Sequence, residues 1–349
     1  MQIKKQIMLG VMMVVATGNH RLEAQEFGLT YTTELQTDFR KGSNWVNLLR
    51  SDFSFPITRQ VELKAATISV ARTREERLAD DLQTFSNIEE ENIPLALAVC
   101  GAEWHTGKST FFVGIRNLNE DYFASPCTSL FTNSSCGIFP TLSANYPIAN
   151  YPLASVGIDY KLTLEHWEVE TSLYNGTGYR MWAGRENVFR VCPATDGILS
   201  VTSINYRKNG SNYYMGFALR SGLPVGNENG NETQTSAPET QRQLNTVIWT
   251  YAEQRLSSRV YALCQYSFNP TEKNGCRSYA GAGLVWHCGK TEGGAFADYA
   301  DFSSEHEWAA ELTWKVPCLK HGYLQPTLHL IRNSHESKVI GLLRLGYFI

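Results

Sequence analysis

The 349-residue sequence predicts an all-β fold: a transmembrane antiparallel β-barrel of sixteen strands with an inward-folded constriction loop. Three observations carry this. Apolar and polar residues alternate with a period of two along most of the chain. The connections between the alternating segments sort by parity into short and long. Beyond the N-terminus the longest nearly apolar run, residues 93–102, falls far short of the ~20 residues a membrane helix needs. A crossing would therefore be made by strands.

The N-terminus comes first. Lys4 and Lys5 precede an apolar run over residues 7–16, and a short polar stretch leads to "LEAQE". This reads as a signal peptide over residues 1–24, cut after Ala24, with the barrel spanning 25–349. Leu22, three residues before the cut, is larger than the usual small residue.

The strands follow. In "EFGLTYTTELQ", Phe27, Leu29, Tyr31 and Leu35 alternate with Gly28, Thr30, Thr32, Glu34 and Gln36. "VGIDYKLTLE" sets Ile158, Tyr160 and Leu162 against Asp159, Lys161 and Glu165, and "WAAELTWKV" sets Trp308, Leu312 and Trp314 against Glu311 and Lys315. Such segments begin near residues 26, 44, 59, 95, 108, 154, 166, 196, 211, 244, 258, 277, 292, 305, 320 and 337, with weak patterns at 44, 196 and 292. A soluble β-sandwich would also alternate, but its loop lengths would not sort by parity. Charges on one strand face suit a water-filled lumen, and an apolar face tipped with aromatics suits lipid.

One stretch suggests a different chemistry. "GAEWHTGKST" ends like a phosphate-binding loop, but five residues separate its glycines where that motif has four. The following "STFFVGIR" alternates as a strand, so "HTGK" is a tight turn between strands.

The connections differ in character. Residues 72–94 are highly charged, with Leu78, Leu82 and Phe85 at helical spacing, and read as a short amphipathic helix or a solvated charge run. Residues 118–153 carry prolines, aromatics and small residues, too apolar for a freely solvated loop. They suit a segment packed against the inner wall as a constriction; the alternative is a loop covering the rim. Cys127 and Cys136 lie close in this turn-rich segment and are the candidate disulfide among eight cysteines. Residues 223–243 read as a polar loop.

No metal site is expected. There is no CxxC, and His287 and Cys288, adjacent on a strand, point to opposite faces. A net charge of −3 argues against a nucleic-acid surface. "VIGLLRLGYFI" ends the chain as a strand with Leu343, Leu345, Tyr347 and Ile349 on one face. Barrels of the outer membrane often end this way, with a terminal aromatic that the barrel-assembly machinery recognises; here the last residue is Ile349. Both termini then face the periplasm.

The sequence resembles the carbohydrate-selective porins (OprB-like) of Gram-negative outer membranes. The resemblance is carried by "LQTFSNIEEEN" (82–92), "SLFTNSSCGIFPT" with "NYPLASVGIDYKL" (129–162), "SLYNG" (172–176), and the run from "EHEWAAELTWKV" through "LQPTLHLI" to "VIGLLRLGYFI". It implies a sixteen-stranded passive channel in the outer-membrane lipid, with sugars as transported solutes, no cofactor, and assembly as a monomer or a homo-oligomer. Alternation gives Arg116, Asp159, Lys161 and Glu311 as lumen candidates, and Glu120, Asp121, Tyr122 and Phe123 enter the expected constriction. A structural ion pair across the wall is the competing reading of each charge. A barrel enzyme is disfavoured because no Ser-His pairing and no GxSxG motif stands out. A non-conducting surface barrel, serving adhesion or as a partner subunit, is the other alternative, and conductance separates it from a channel.

Overall fold

A computed structural model describes residues 25–40, 42–222 and 242–349. The expected signal peptide and most of the expected polar loop lie outside these residues. Sixteen strands form the barrel. They are β1 (Glu26–Thr37), β2 (Ser43–Pro56), β3 (Val61–Arg72), β4 (Ile93–Thr106), β5 (Ser109–Arg116) and β6 (Ser155–Thr163). Next come β7 (Trp167–Asn175), β8 (Ile198–Lys208), β9 (Ser211–Gly222), β10 (Gln243–Arg255) and β11 (Val260–Phe268). The last five are β12 (Cys276–Cys288), β13 (Thr291–Phe302), β14 (His306–Leu319), β15 (Gly322–Arg332) and β16 (Ser337–Phe348). Each pairs with its sequence neighbours, and β1 pairs antiparallel with β16, so no edge is left open.

The turns at one end are minimal. β8 and β9 are joined by Asn209 and Gly210 alone, with φ of 53° and 79°. Two positive φ values in succession make the type I′ turn whose twist matches a hairpin. "HTGK" is the corresponding turn between β4 and β5. At the other end the long connections emerge.

Exposure runs opposite to that of a soluble protein. Val113, Ile158 and Leu173 stand in register across β5, β6 and β7, and are 56, 55 and 44% exposed. One residue along, Phe112, Asp159 and Ser172 are also in register, and all are buried. The apolar belt continues through Phe217, Ile248, Leu284, Leu312 and Leu343. Near the short turns, Trp104, Phe111 and Tyr160 form one aromatic chain, and Trp167, Tyr206 and Tyr213 another. An apolar belt rimmed by aromatics is a lipid-facing surface, so the soluble sandwich is excluded and the chain is an outer-membrane barrel.

Two long connections fill much of the interior. The segment between β5 and β6 lays Phe123 on Trp249, Phe131 on Phe296 and Phe139 on Tyr279, with centroids 5.0, 5.2 and 5.4 Å apart. Gly294 leaves room for this contact: a Cβ there would lie 2.8 Å from the Phe131 ring. The expected inward-folded loop is therefore present, and it docks on the wall made by β10 to β14.

The segment between β3 and β4 also folds inward, and it corrects the expected amphipathic helix. No helix forms. Leu78 and Phe85 are buried on Ile331, Ile340 and Leu342 of the wall. Glu307 accepts the amides of Leu82 at 2.9 Å and Gln83 at 3.1 Å, and Thr84 has φ of 59°, which interrupts helical geometry.

Candidate constriction site

Backbone donors in a loop buried inside a barrel need acceptors. Wall carboxylates supply them. Glu311 takes Thr132 N–H at 2.8 Å and Asn133 N–H at 3.0 Å. Glu253 takes Cys127 N–H at 2.6 Å and the Ser125 hydroxyl. Glu307 holds the other loop as described. The two loops also bond each other, Asn87 N–H to Thr132 O at 2.7 Å and Ser134 N–H to Thr84 O at 3.0 Å. Glu311 thus faces the lumen side as expected, but as a strut beneath the loop. His329 is buried too, with Nε2 2.9 Å from Thr132 Oγ1.

The expected Cys127–Cys136 disulfide is not formed; both thiols are free and buried in one cluster. Their backbones are held by different wall residues: Cys127 by Glu253, and Cys136 through its carbonyl, which accepts from Gln265 Nε2 at 2.7 Å. Burial pushes both thiols up from their ordinary value.

The opposite side of the lumen is charged. Short 3-10 geometry at Leu118–Glu120, started by Asn117 accepting the Asn119 amide, presents Glu120 and Asp121 to that wall. Arg50 of β2 donates to Glu120 through Nη1 at 2.7 Å and Nη2 at 2.9 Å, and through Nε to Asp52 at 2.9 Å. Arg116 reaches Asp121 at 2.5 Å and Lys161 lies 3.5 Å from it; Lys161 is also 3.0 Å from Glu170. Arg344 donates to Glu34 at 2.6 Å and to Asn87 at 2.6 Å, and Ser86 donates to Glu34 at 2.7 Å. Burial raises the Asp121 carboxyl above its ordinary value, although Arg116 and Lys161 pull it down.

The expected residues therefore separate into two groups. Arg116, Glu120, Asp121, Asp159 and Lys161 come together, Asp159 accepting from Ser172 Oγ at 2.5 Å. Tyr122 and Phe123 turn away and are buried against the wall, where the Tyr122 hydroxyl lies 2.6 Å from Ser172 Oγ. Sequence reasoning missed Arg50, Glu253 and Glu307. Arg50 carried a signal, since it lies in a strand with an alternating neighbour, Asp52.

Two cavities meet at this site. One of 590 Å³ lies among the inserted loops and includes Asn87, Asn117, Asn150 and Arg344. The other, of 520 Å³, lies at the short-turn end and includes Glu26, Asp52, Glu62 and Lys64. Arg50 and Glu120 line both. Asp121, Asp159 and Glu170 bring carboxylate oxygens within 4.8 Å of one another, a spacing that could hold a cation. Arg116 and Lys161 already supply positive charge there.

No protein-family profile matches the chain, and no curated protein matches it in sequence. Solved structures do. OprB of Pseudomonas putida, in its high-pH structure, superposes with a TM-score of 0.77 at 14% identity, covering 93% of this chain and 94% of that one. A loop-deleted OmpT, an outer membrane protein of Vibrio cholerae, gives 0.62 at 10% identity over 93% and 99%. The anion-selective porin from Comamonas acidovorans gives 0.60 at 10% over 93% and 99%. The chain has the fold shared by these outer-membrane barrels.

Proposed function

We propose that this protein is an outer-membrane porin, a passive diffusion channel for carbohydrates and other small hydrophilic solutes. The observation that supports it best is the meeting of the two cavities at Arg50 and Glu120. Solute would pass from the chamber among the loops, across the charged pair, into the chamber at the short-turn end. The loop docked on the opposite wall would set the diameter, and the charges would set the field in the gap. Hydroxyl-rich solutes suit paired charges, which offer donors and acceptors side by side. The likeness to OprB and the short sequence matches favour sugars among such solutes. Diffusion down a gradient requires no cofactor. A second reading, a non-conducting surface barrel, is favoured by the presence of two inserted loops where one would narrow the lumen.

Single-channel recording of the mature protein in a planar bilayer tests both. Stable openings that sugars partly block support a carbohydrate channel, and Glu120→Gln should shift selectivity toward anions by removing one negative charge. Openings indifferent to sugars retain the porin and remove the sugar. Folded protein without openings supports the plugged barrel.

A further inference from the structure

Beneath the docked loop lies a third cavity, of 270 Å³, outside the path through Arg50 and Glu120. Its roof is Asp121 to Ala124 with Pro126; its walls come from β7 to β10. Arg207, at the short-turn end, leaves that side open, its side chain being 42% exposed.

Two features give the cavity a chemistry. Asn205 Oδ1 and Asp121 Oδ2 line it, are buried, and have no hydrogen-bond partner. Glu170 Oε1 is a third; Lys161 Nζ at 3.0 Å pairs its charge without hydrogen-bond alignment. All three are acceptors, and leaving the first two unmade in a buried site is costly. The second feature is an aromatic wall: Tyr214 and Tyr251 stack at 4.1 Å with 10° between their planes.

We propose that this cavity is a separate saccharide subsite on the short-turn side of the constriction, taking one monosaccharide-sized polyol. Its hydroxyls donate to Asn205, Asp121 and Glu170, and its C–H face lies against the tyrosine pair. A bare cation would also satisfy acceptors, but it would meet Arg116 and Lys161 beside the same carboxylates and would leave the aromatic wall unused. The inference rests on the carbohydrate reading of the channel.

The test places a reporter in the cavity. Protein labelled with fluorotyrosine is folded in detergent, and the Tyr214 resonance is assigned as the one lost in Tyr214→Phe. D-Glucose is then titrated into the wild type, Asn205→Leu and Asn205→Asp, each first shown to be folded by heat-dependent gel mobility. The expected result is a saturable shift of the Tyr214 signal, weakened about tenfold in Asn205→Leu and retained in Asn205→Asp, which keeps an acceptor. If glucose blocks current in the bilayer but leaves the Tyr214 signal still, or if Asn205→Leu titrates like the wild type, the subsite is overturned and the carbohydrate channel stands. If glucose neither blocks current nor shifts the signal, both fall. A shift produced by calcium chloride and not by glucose assigns the cluster to a cation and overturns the proposal.

Discussion

Replacing Glu311 with Leu should release the middle of the inserted loop. The carboxylate accepts from the amides of Thr132 and Asn133 and from the Thr132 hydroxyl at 3.1 Å, and all three residues are buried. Leucine is similar in bulk but accepts nothing. Two amides lose their acceptor, at ~1–3 kcal/mol for each buried donor left unmade, so local opening becomes easier by about 2–6 kcal/mol. At ~1.4 kcal/mol per tenfold, the lower bound is about a thirtyfold rise in the opening equilibrium. Hydrogen exchange resolved by mass spectrometry reads this directly in peptides covering residues 128–136. Glu311→Gln, which keeps one carbonyl acceptor, should fall between. The effect should fade toward residues 125–127, which Glu253 holds independently through Ser125 and Cys127. Unchanged exchange in a folded Glu311→Leu barrel would refute the strut, because the loop would then be held by its aromatic contacts alone.

Two further outcomes follow from the packing. The Asp81 carboxyl is pushed up to about 7, by burial first and by Glu307 next, from an ordinary value of 3.8. Its proton is held more tightly in the folded state, so its contribution to docking of the first inserted loop is full below about 4 and lost as pH rises through about 7. Amide exchange over residues 76–90, corrected for intrinsic base catalysis, should therefore quicken between pH 6 and 8; Asp81→Asn should abolish that dependence, and an identical profile would refute it. Gly294→Ala places a methyl 2.8 Å from the Phe131 ring and 2.9 Å from Leu130. It should destabilise the barrel by ~1–3 kcal/mol through overpacking, seen as a lower thermal unfolding temperature. Adding Phe131→Leu should recover part of the loss, and a second substitution that only adds to the damage would count against the contact.

Most of the barrel was legible because lipid on one side and water on the other impose a two-residue period. Strands expected near 26, 211 and 337 begin at Glu26, Ser211 and Ser337. The pattern was faint at 44, 196 and 292 for a physical reason. Where an inserted loop covers the lumen, the inward face need not be polar: in β8, Leu199 and Val201 are buried in the apolar cluster that the loop forms with the wall. In β13, Gly294 and Phe296 face in beneath Phe131, so small and aromatic residues replace the expected polar row. The first inserted loop reads as a helix or a solvated charge run because Leu78, Leu82 and Phe85 keep helical spacing in a charged stretch, while the carboxylate that fixes the backbone at Leu82 and Gln83 lies in a strand more than two hundred residues later. Arg50 pairs with Glu120 across seventy residues. Such partners are set by closure of the ring, which no local window contains. The charges at Arg116, Asp159 and Lys161 were readable because strand alternation alone fixed their direction.

The largest fully buried side chains of the described barrel include Phe131, Phe139, Leu118 and Leu142, and all four belong to the segment that narrows the lumen. A soluble protein keeps such residues at its centre to remain folded. Here the centre is also the lumen. Each aromatic removed to widen it would take away cohesion, and each one added to strengthen the fold would narrow it. The width of the lumen and the stability of the fold are drawn from one set of contacts, so a wider variant of this barrel would have to recover its lost cohesion from the lipid-facing wall or from another chain.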